Sequence, residues 1–522
     1  MIPRPSSLAA ALALCLLPAA FQPASSAPHQ FLPVGDPLEA ELRVLELYEP
    51  ASSRVRLPHL NARPLQWHEL RGDGAGSPLP SGARGIALRR IERARRWNDP
   101  APADAIPGAT PRLFQREWPG DTRLELSTGL EGEREWTRAD GSGAGRWEDG
   151  SGVHLRGGAQ LDRWFAFAHV YMGQLAGVRE YSDALVDGTD FAVGTEESYL
   201  AYTVERAWSV QLGRSRWHWG PGDESSLLLS KTAAPLAGLM MHARIEPLRA
   251  DLFLFDATVH PGRGEQLAAH RLEWQVRDWA RVAISEAARY RSSGWQGLYV
   301  AGVIPYSLVQ RLLDQDSRDT PGETRNNVLL SLDASVRIAD GSRVYGELLL
   351  DDVHARSAAF PNKYGWQAGW DGAGEMLDRR VTWNAEYTWL SRYVYSSFYG
   401  RAFTAQDRPL GHPEGPGSRR LRLRVSADPT VDWQLSVFGA RSERGEEKVA
   451  DAFVPGDPVP DPGSLAGVPE RERTVEGEVR WWPASGVDVA LRGGREWREN
   501  AAHLAGASAS QWRGSLALRL TR

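Results

Sequence analysis

Ten residues in the middle of the chain gather much of the chemistry this sequence offers: Gly213-Arg214-Ser215-Arg216-Trp217-His218-Trp219-Gly220-Pro221-Gly222. Aromatic rings stack on the apolar faces of sugar rings, while guanidinium and imidazole groups hydrogen-bond hydroxyls and carboxylates. Arg214, Arg216, Trp217, His218 and Trp219 are therefore candidates for holding a polysaccharide. The same run also reads as architecture. Gly220-Pro221-Gly222 sets a turn, and Trp217 and Trp219 would then plug an interior or sit at a membrane interface. Asp351 and Asp352 form an acidic pair able to bind a cation or a sugar hydroxyl, or simply to face water. His412 stands alone in a long polar stretch. Arginine supplies every basic residue except Lys231, Lys363 and Lys448, and its planar fork suits uronic acids and other carboxylated sugars.

Catalytic patterns are missing from the sequence. There is no His-Glu-x-x-His, no Gly-x-Ser-x-Gly, no calcium loop and no Gly-rich phosphate cradle, so no catalytic residue, cofactor or metal is expected. Two acidic residues far apart in sequence could still form a glycosidase pair, which keeps a hydrolase as a third reading.

The elements that position these residues follow from composition and period. The 522 residues are 42 % hydrophobic and 24 % charged, with 52 Gly, 34 Pro, 21 Trp and a net charge of -5. A mean hydropathy of -0.42 and no interior apolar run of about 20 residues exclude a bundle of spanning helices. They leave open a transmembrane barrel, which averages a lipid face with a polar lumen. Residues 1–27 read as a secretory signal: Arg4, the apolar stretch Leu8 to Ala20, and small residues at Ala24-Ser25-Ser26-Ala27. The single cysteine, Cys15, lies within that signal. The exported chain then has no thiol for disulfides, nucleophilic catalysis or thiolate metal sites.

Residues 28–111 read as a periplasmic helical region. Asp36-Pro37 opens one helix, with Leu38, Leu42 and Leu45 at helical spacing. Ser81 to Trp97 forms a second, with Ile86 and Ile91 opposite Arg89, Arg90, Arg93, Arg95 and Arg96. That pattern predicts a small packed bundle with a solvated basic side. Export argues against nucleic acid as a partner, and leaves anionic polymer or lipid headgroups as the alternative.

From residue 112 to 522 the period is two. Leu421, Leu423 and Val425 alternate with Arg420, Arg422, Arg424 and Ser426; Thr474 to Trp481 and Trp512 to Thr521 repeat the form. Compact turns at Ala339-Asp340-Gly341-Ser342, Ala427-Asp428-Pro429-Thr430 and Pro483-Ala484-Ser485-Gly486 alternate with long polar connections near residues 352–364, 396–418, 442–471 and 498–510. Alternating short and long connections predict an outer-membrane β-barrel with its long loops outside the cell. About eighteen strands can be counted from Thr122 onward.

The motif at Gly213–Gly222, with Leu227-Leu228-Leu229-Ser230 and Ala234-Pro235 after it, resembles the Wzi-like capsule-assembly family of outer-membrane proteins. Further stretches agree in order: Val34-Gly35-Asp36-Pro37, Tyr345 to Asp352, Pro361 to Trp366, Trp383 to Thr388, Gly411-His412-Pro413 and Gly415-Pro416. The resemblance implies an eighteen-stranded transmembrane antiparallel β-barrel with an N-terminal periplasmic helical bundle. It further implies a lectin-like, non-enzymatic protein that attaches capsular or exported polysaccharide to the cell surface. The expected partners are surface polysaccharide, outer-membrane lipid and, during insertion, the barrel-assembly machinery, with the chain acting as a monomer. A diffusion porin of the same architecture is the runner-up, ahead of an outer-membrane hydrolase.

Overall fold

The computed structural model describes residues 31–48, 60–66, 82–98, 114–118, 122–140, 145–174, 184–185, 189, 191–204, 208–260, 264–292, 296–300, 302, 304–312, 326–353, 359–397, 401–406, 408–484 and 486–521. The expected signal, residues 1–27, lies outside them.

The alternating segments form eighteen antiparallel strands closed into a barrel. The first six are β1 (Thr122–Ala139), β2 (Arg146–Leu161), β3 (Trp164–Gln174), β4 (Ala192–Val204), β5 (Trp208–Ser215) and β6 (Leu236–Ile245). Next come β7 (Ala250–His260), β8 (Glu265–Arg277), β9 (Ala280–Arg291), β10 (Asn327–Ala339), β11 (Ser342–Asp352) and β12 (Lys363–Met376). The circuit ends with β13 (Arg379–Leu390), β14 (Ser418–Thr430), β15 (Trp433–Arg444), β16 (Glu470–Ala484), β17 (Val487–Glu499) and β18 (Ser508–Thr521). Leu520 of β18 lies opposite Leu130 of β1, so both strand edges are paired and none is left to aggregate.

Alternation puts the apolar side chains outside. On β14, Leu421, Leu423 and Val425 are 42, 49 and 50 % exposed, whereas Arg422 and Ser426, on the opposite parity, are 4 % exposed. An apolar band on the outside of a closed barrel has no protein core to join, and hydrocarbon is the solvent that accommodates it. Exposed tryptophans border the band at both ends. Trp164, Trp274, Trp279, Trp370, Trp433 and Trp481 sit by the short turns; Trp147, Trp366, Trp497 and Trp512 sit by the long loops. These are the girdles of an outer-membrane barrel, and they account for much of the tryptophan content. Leu423→Arg, midway along β14, is expected to cost about 2–4 kcal/mol near the bilayer midplane. Loss of the heat-resistant folded band on a gel measures it, with Leu423→Val as the neutral control.

The turn at Asp340-Gly341 falls where the sequence predicts. At Asp428-Pro429 the strand instead continues: proline has no N–H for the ladder, the register slips between Ala427 and Thr430, and the chain reverses at Val431-Asp432. Asp428 is thereby turned into the interior, fully buried.

That carboxylate helps fasten the two N-terminal helices, α1 (Leu38–Tyr48) and α2 (Gly82–Asn98). Asp36 caps α1 by accepting the Leu38 N–H at 2.8 Å. Leu42, Leu45 and Leu47 of α1 then pack with Ala83, Ala87 and Ile91 of α2. The basic side of α2 departs from the solvated face expected from its sequence, because Arg90 is buried. Its guanidinium donates to Glu41 at 2.8 Å and to Asp428 at 3.0 Å, and lies 4.5 Å above the Trp482 ring. Arg380 of β13 bonds the same two carboxylates. The side chains of Arg93, Arg95 and Arg96 lie outside the described residues.

The latch has a pH dependence. Burial opposes the charge on Glu41, but Arg380 and Arg90 outweigh it and hold the carboxyl below its ordinary range. Burial likewise opposes the charge on Glu46, which is partly buried, but Arg43 and Arg281 outweigh it and hold that carboxyl down to about 2. Carboxyls depressed in the folded state stabilise it above their ordinary value, and that stabilisation is lost as pH falls through the folded value. Docking of α1 is expected to be intact above pH 4.5 and to weaken as pH falls towards 2. Pepsin cleavage within α1, followed down that range, should rise; increasing protection would contradict it.

Candidate functional site

The connection 216–235 between β5 and β6 belongs, by strand order, to the long-loop side, yet it folds back into the barrel. There it meets chain arriving from the opposite end: His218 and Trp219 pair with Arg63 and Ala62, and the Gly220 N–H donates to the Asn61 carbonyl at 2.8 Å. The N-terminal segment and the inturned loop thus join as a small sheet inside the lumen. Around it lies a core of Leu227, Leu228, Leu229, Phe253, Phe255, Tyr395, Phe403 and Leu410. Trp217 and Trp219, 4 and 1 % exposed, belong to this core. Their rings lie 4.6 and 6.4 Å from that of Phe255.

His218 is fully buried. Its Nε2 lies 3.0 Å from the Gly222 carbonyl and its Nδ1 accepts the Lys231 N–H at 3.3 Å, so Nε2 carries the proton. Burial, with Arg63 and Lys231 nearby, holds the ring well below its ordinary value and therefore neutral. Glu347 of β11 anchors the same loop from the wall, accepting the Leu227 N–H at 3.0 Å and the Ser226 and Ser331 hydroxyls at 3.1 and 3.0 Å. Glycine is required at Gly222, where a Cβ would stand 2.3 Å from the Ser225 carbonyl oxygen.

Tyr395, which the sequence did not single out, draws the other candidates towards this plug. Its N–H donates to Asp351 at 2.7 Å, its hydroxyl donates to the Leu227 carbonyl at 2.6 Å, and that hydroxyl accepts the His412 N–H at 3.0 Å. Lys363 bridges the acidic pair, 2.6 Å from Asp352 and 3.7 Å from Asp351. His412 is buried, its Nδ1 accepts the Glu414 N–H at 3.3 Å, and burial with Arg420 lowers its ring to about 3. Gly411 permits the close approach, since a Cβ there would meet the Leu227 carbonyl oxygen at 2.2 Å. Arg216 donates to Glu196 at 3.1 Å and to the Ala233 carbonyl at 3.3 Å. Arg214 stands apart, half-buried on the outward-facing parity of β5.

Arg216, Trp217, His218, Trp219, Asp351 and His412 therefore share one assembly, in which their polar atoms largely hold two long loops against the plug. No tyrosine signature in the sequence could have pointed to Tyr395, because its role depends on three segments meeting. Beside the plug a cavity of about 920 Å³ runs between α1 and the inner faces of strands at both ends of the barrel sequence. On its wall Glu131, His154 and His169 form a hydrogen-bonded row, at 2.8 and 2.9 Å. Among the described residues, no group of three His, Cys, Asp or Glu is placed to hold a metal ion.

Eighteen strands, a lipid-facing apolar band, two aromatic girdles and a lumen occupied by the chain itself define a plugged outer-membrane barrel. Residues 137–270 match the family model described as capsule assembly protein Wzi, so the resemblance read from the motifs and the family match agree. The fold is similar over its length to a solved structure described as Wzi, an outer membrane protein involved in group 1 capsule assembly in Escherichia coli and a carbohydrate-binding β-barrel. The identity is 13 %, 94 % of this chain and 99 % of that one are covered, and the TM-score is 0.59. Pseudomonas aeruginosa OpdQ matches at 9 % identity over 76 % of this chain and 98 % of its own, with a TM-score of 0.44. No curated protein matches the sequence.

Proposed function

We propose that the protein is a non-enzymatic outer-membrane barrel that binds capsular or exported polysaccharide and anchors it to the cell surface. The family match and the carbohydrate-binding character of the similar Escherichia coli barrel support this reading. The observation that carries it on this chain is the sheet inside the lumen, Ala62-Arg63 against His218-Trp219. A barrel that fills its bore with two of its own segments is poorly suited to free diffusion, and the work falls to its outer rim. In this reading residues 28–111 serve as plug and periplasmic cap, and residues 112–522 as the barrel that presents the loops. Arg216, Trp217, His218, Trp219, Asp351 and His412 act by fixing the shape of those loops beneath the polymer. Arg214 and the half-exposed Asp352 are the candidates left to touch it.

Repeated units on one chain raise the effective concentration of each further contact, so weak sites retain a polymer well. The barrel works as a monomer, inserted by the barrel-assembly machinery and surrounded by outer-membrane lipid. Vesicles carrying the purified protein are expected to sediment polysaccharide shed by the host cells, and empty vesicles to leave it in solution. Equal recovery with both kinds of vesicle would contradict the proposal.

A further inference from the structure

The inner wall of the long-loop mouth carries a hollow of about 150 Å³ on β14, β15 and β16. Register explains it. One inward row crosses the strands as Arg420, Ser442, Glu472 and Arg498; the row below runs Arg422, Ala440, Thr474 and Glu496. Ala440 and Ser442 are consecutive inward residues of β15, and their small side chains leave a depression in a wall otherwise built of long charged ones. Arg444 and Glu470 close it towards the outside, 3.7 Å apart, and Glu414 reaches in from the loop beside His412.

The charges around the hollow are matched. Arg420 pairs with Glu414 at 2.7 Å, Arg498 with Glu472 at 3.3 Å and Glu496 at 2.6 Å, and Arg513 with Glu496 at 2.6 Å. The Thr474 hydroxyl donates to Glu472 at 3.3 Å. A uronate entering here would place its carboxylate against Glu414, Glu470 and Glu472, and would have to share a guanidinium whose charge one of them already offsets. A neutral sugar meets no such opposition. Its hydroxyls donate to the carboxylates and accept from the guanidinium groups, leaving the ion pairs in place.

We propose that this hollow receives one ring of a neutral sugar, and that the anchored polymer is neutral rather than uronic at the position bound. The inference rests on the polysaccharide-anchoring reading and assigns it a site and a sugar class. It also redirects the arginine-rich composition, which taken alone favours carboxylated sugars, since the arginines of this wall already face carboxylates. With no aromatic face in the hollow, one ring binds weakly and retention depends on repetition.

The test uses the full chain in lipid nanodiscs, with dextran, mannan and galactan as neutral probes, and polygalacturonate and alginate as uronic ones. At least one neutral polymer is expected to bind about tenfold or more tightly than either uronic one, a difference of about 1.4 kcal/mol, with little change on adding salt. Ala440→Leu, which fills the hollow without altering charge, should weaken that binding about tenfold while the barrel keeps its heat-resistant mobility. Should that variant fail to fold, Thr474→Val is measured in its place and should also weaken binding. Glu472→Gln removes one opposing carboxylate and should raise polygalacturonate binding. Unchanged neutral binding by folded Ala440→Leu overturns the site and leaves the anchoring reading intact. Tighter uronic binding that declines steeply with salt overturns the sugar class. Binding of no polymer overturns both and takes the anchoring reading with it.

Discussion

Replacing Arg380 with alanine is expected to release the N-terminal helices from the turn-side rim of the barrel. Arg380 and Arg90 hold Glu41 and Asp428 between them, all four buried. Without Arg380, two buried carboxylates face one guanidinium. Breaking a buried ion pair by removing one partner costs about 3–5 kcal/mol. The barrel ladder does not depend on this contact, so the loss falls on docking. Faster proteolysis of α1, with an unchanged heat-resistant barrel, measures it. The same release should appear in planar bilayers as larger and longer openings than the native protein gives. Arg380→Lys is expected to restore little, because one ammonium cannot reproduce a fork that bonds two carboxylates at once. Native-like protection in Arg380→Ala would mean that apolar packing alone holds the helices.

The second large effect is expected at Trp219. Its indole is among the largest fully buried side chains, and its backbone pairs on one side with Ala62 and on the other with Leu229. Truncation to alanine removes a large apolar volume beside Phe253 and Phe255 of β7, whose backbone is held by the ladders on both sides and cannot collapse to fill it. A loss of about 3–5 kcal/mol follows for a buried tryptophan. Because the inter-strand ladder is untouched, Trp219→Ala should still run as a heat-resistant barrel. Its lumen should conduct more, and its polymer retention should drop through loss of loop shape. Failure to form any heat-resistant barrel would instead place the plug core among the contacts that the barrel needs to close.

Much of the barrel was legible in the sequence because lipid and lumen impose opposite demands on successive residues. Leu421, Leu423 and Val425 announce their face by type alone, and β14 obeys them. Short turns and long loops follow from the same logic, and the strand that begins at Thr122 is the one on which the barrel closes. Arg90 departs from its sequence pattern for a physical reason. An arginine-rich helix face reads as solvated unless partners are known, and its partners, Glu41 and Asp428, lie 49 and 338 residues away in sequence. Asp-Pro at Asp428 is a turn signal in sequence, whereas a barrel strand can carry a proline at a bulge, so the chain reverses only at Val431-Asp432. The run from Trp217 to Gly222 was legible as a unit with two meanings. Sequence could not decide between display and burial, since that depends on the loop folding inward to meet Ala62 and Arg63. Tyr395 left no trace, being one tyrosine among 14.

The central claim, that this barrel fastens polysaccharide to the outer membrane, is tested most directly by deleting its gene and comparing cell-bound with released polymer by immunofluorescence. Total polymer is expected to persist while the cell-bound fraction falls and the released fraction rises, with both restored by the intact gene. An unchanged bound fraction in the deletion strain would contradict it.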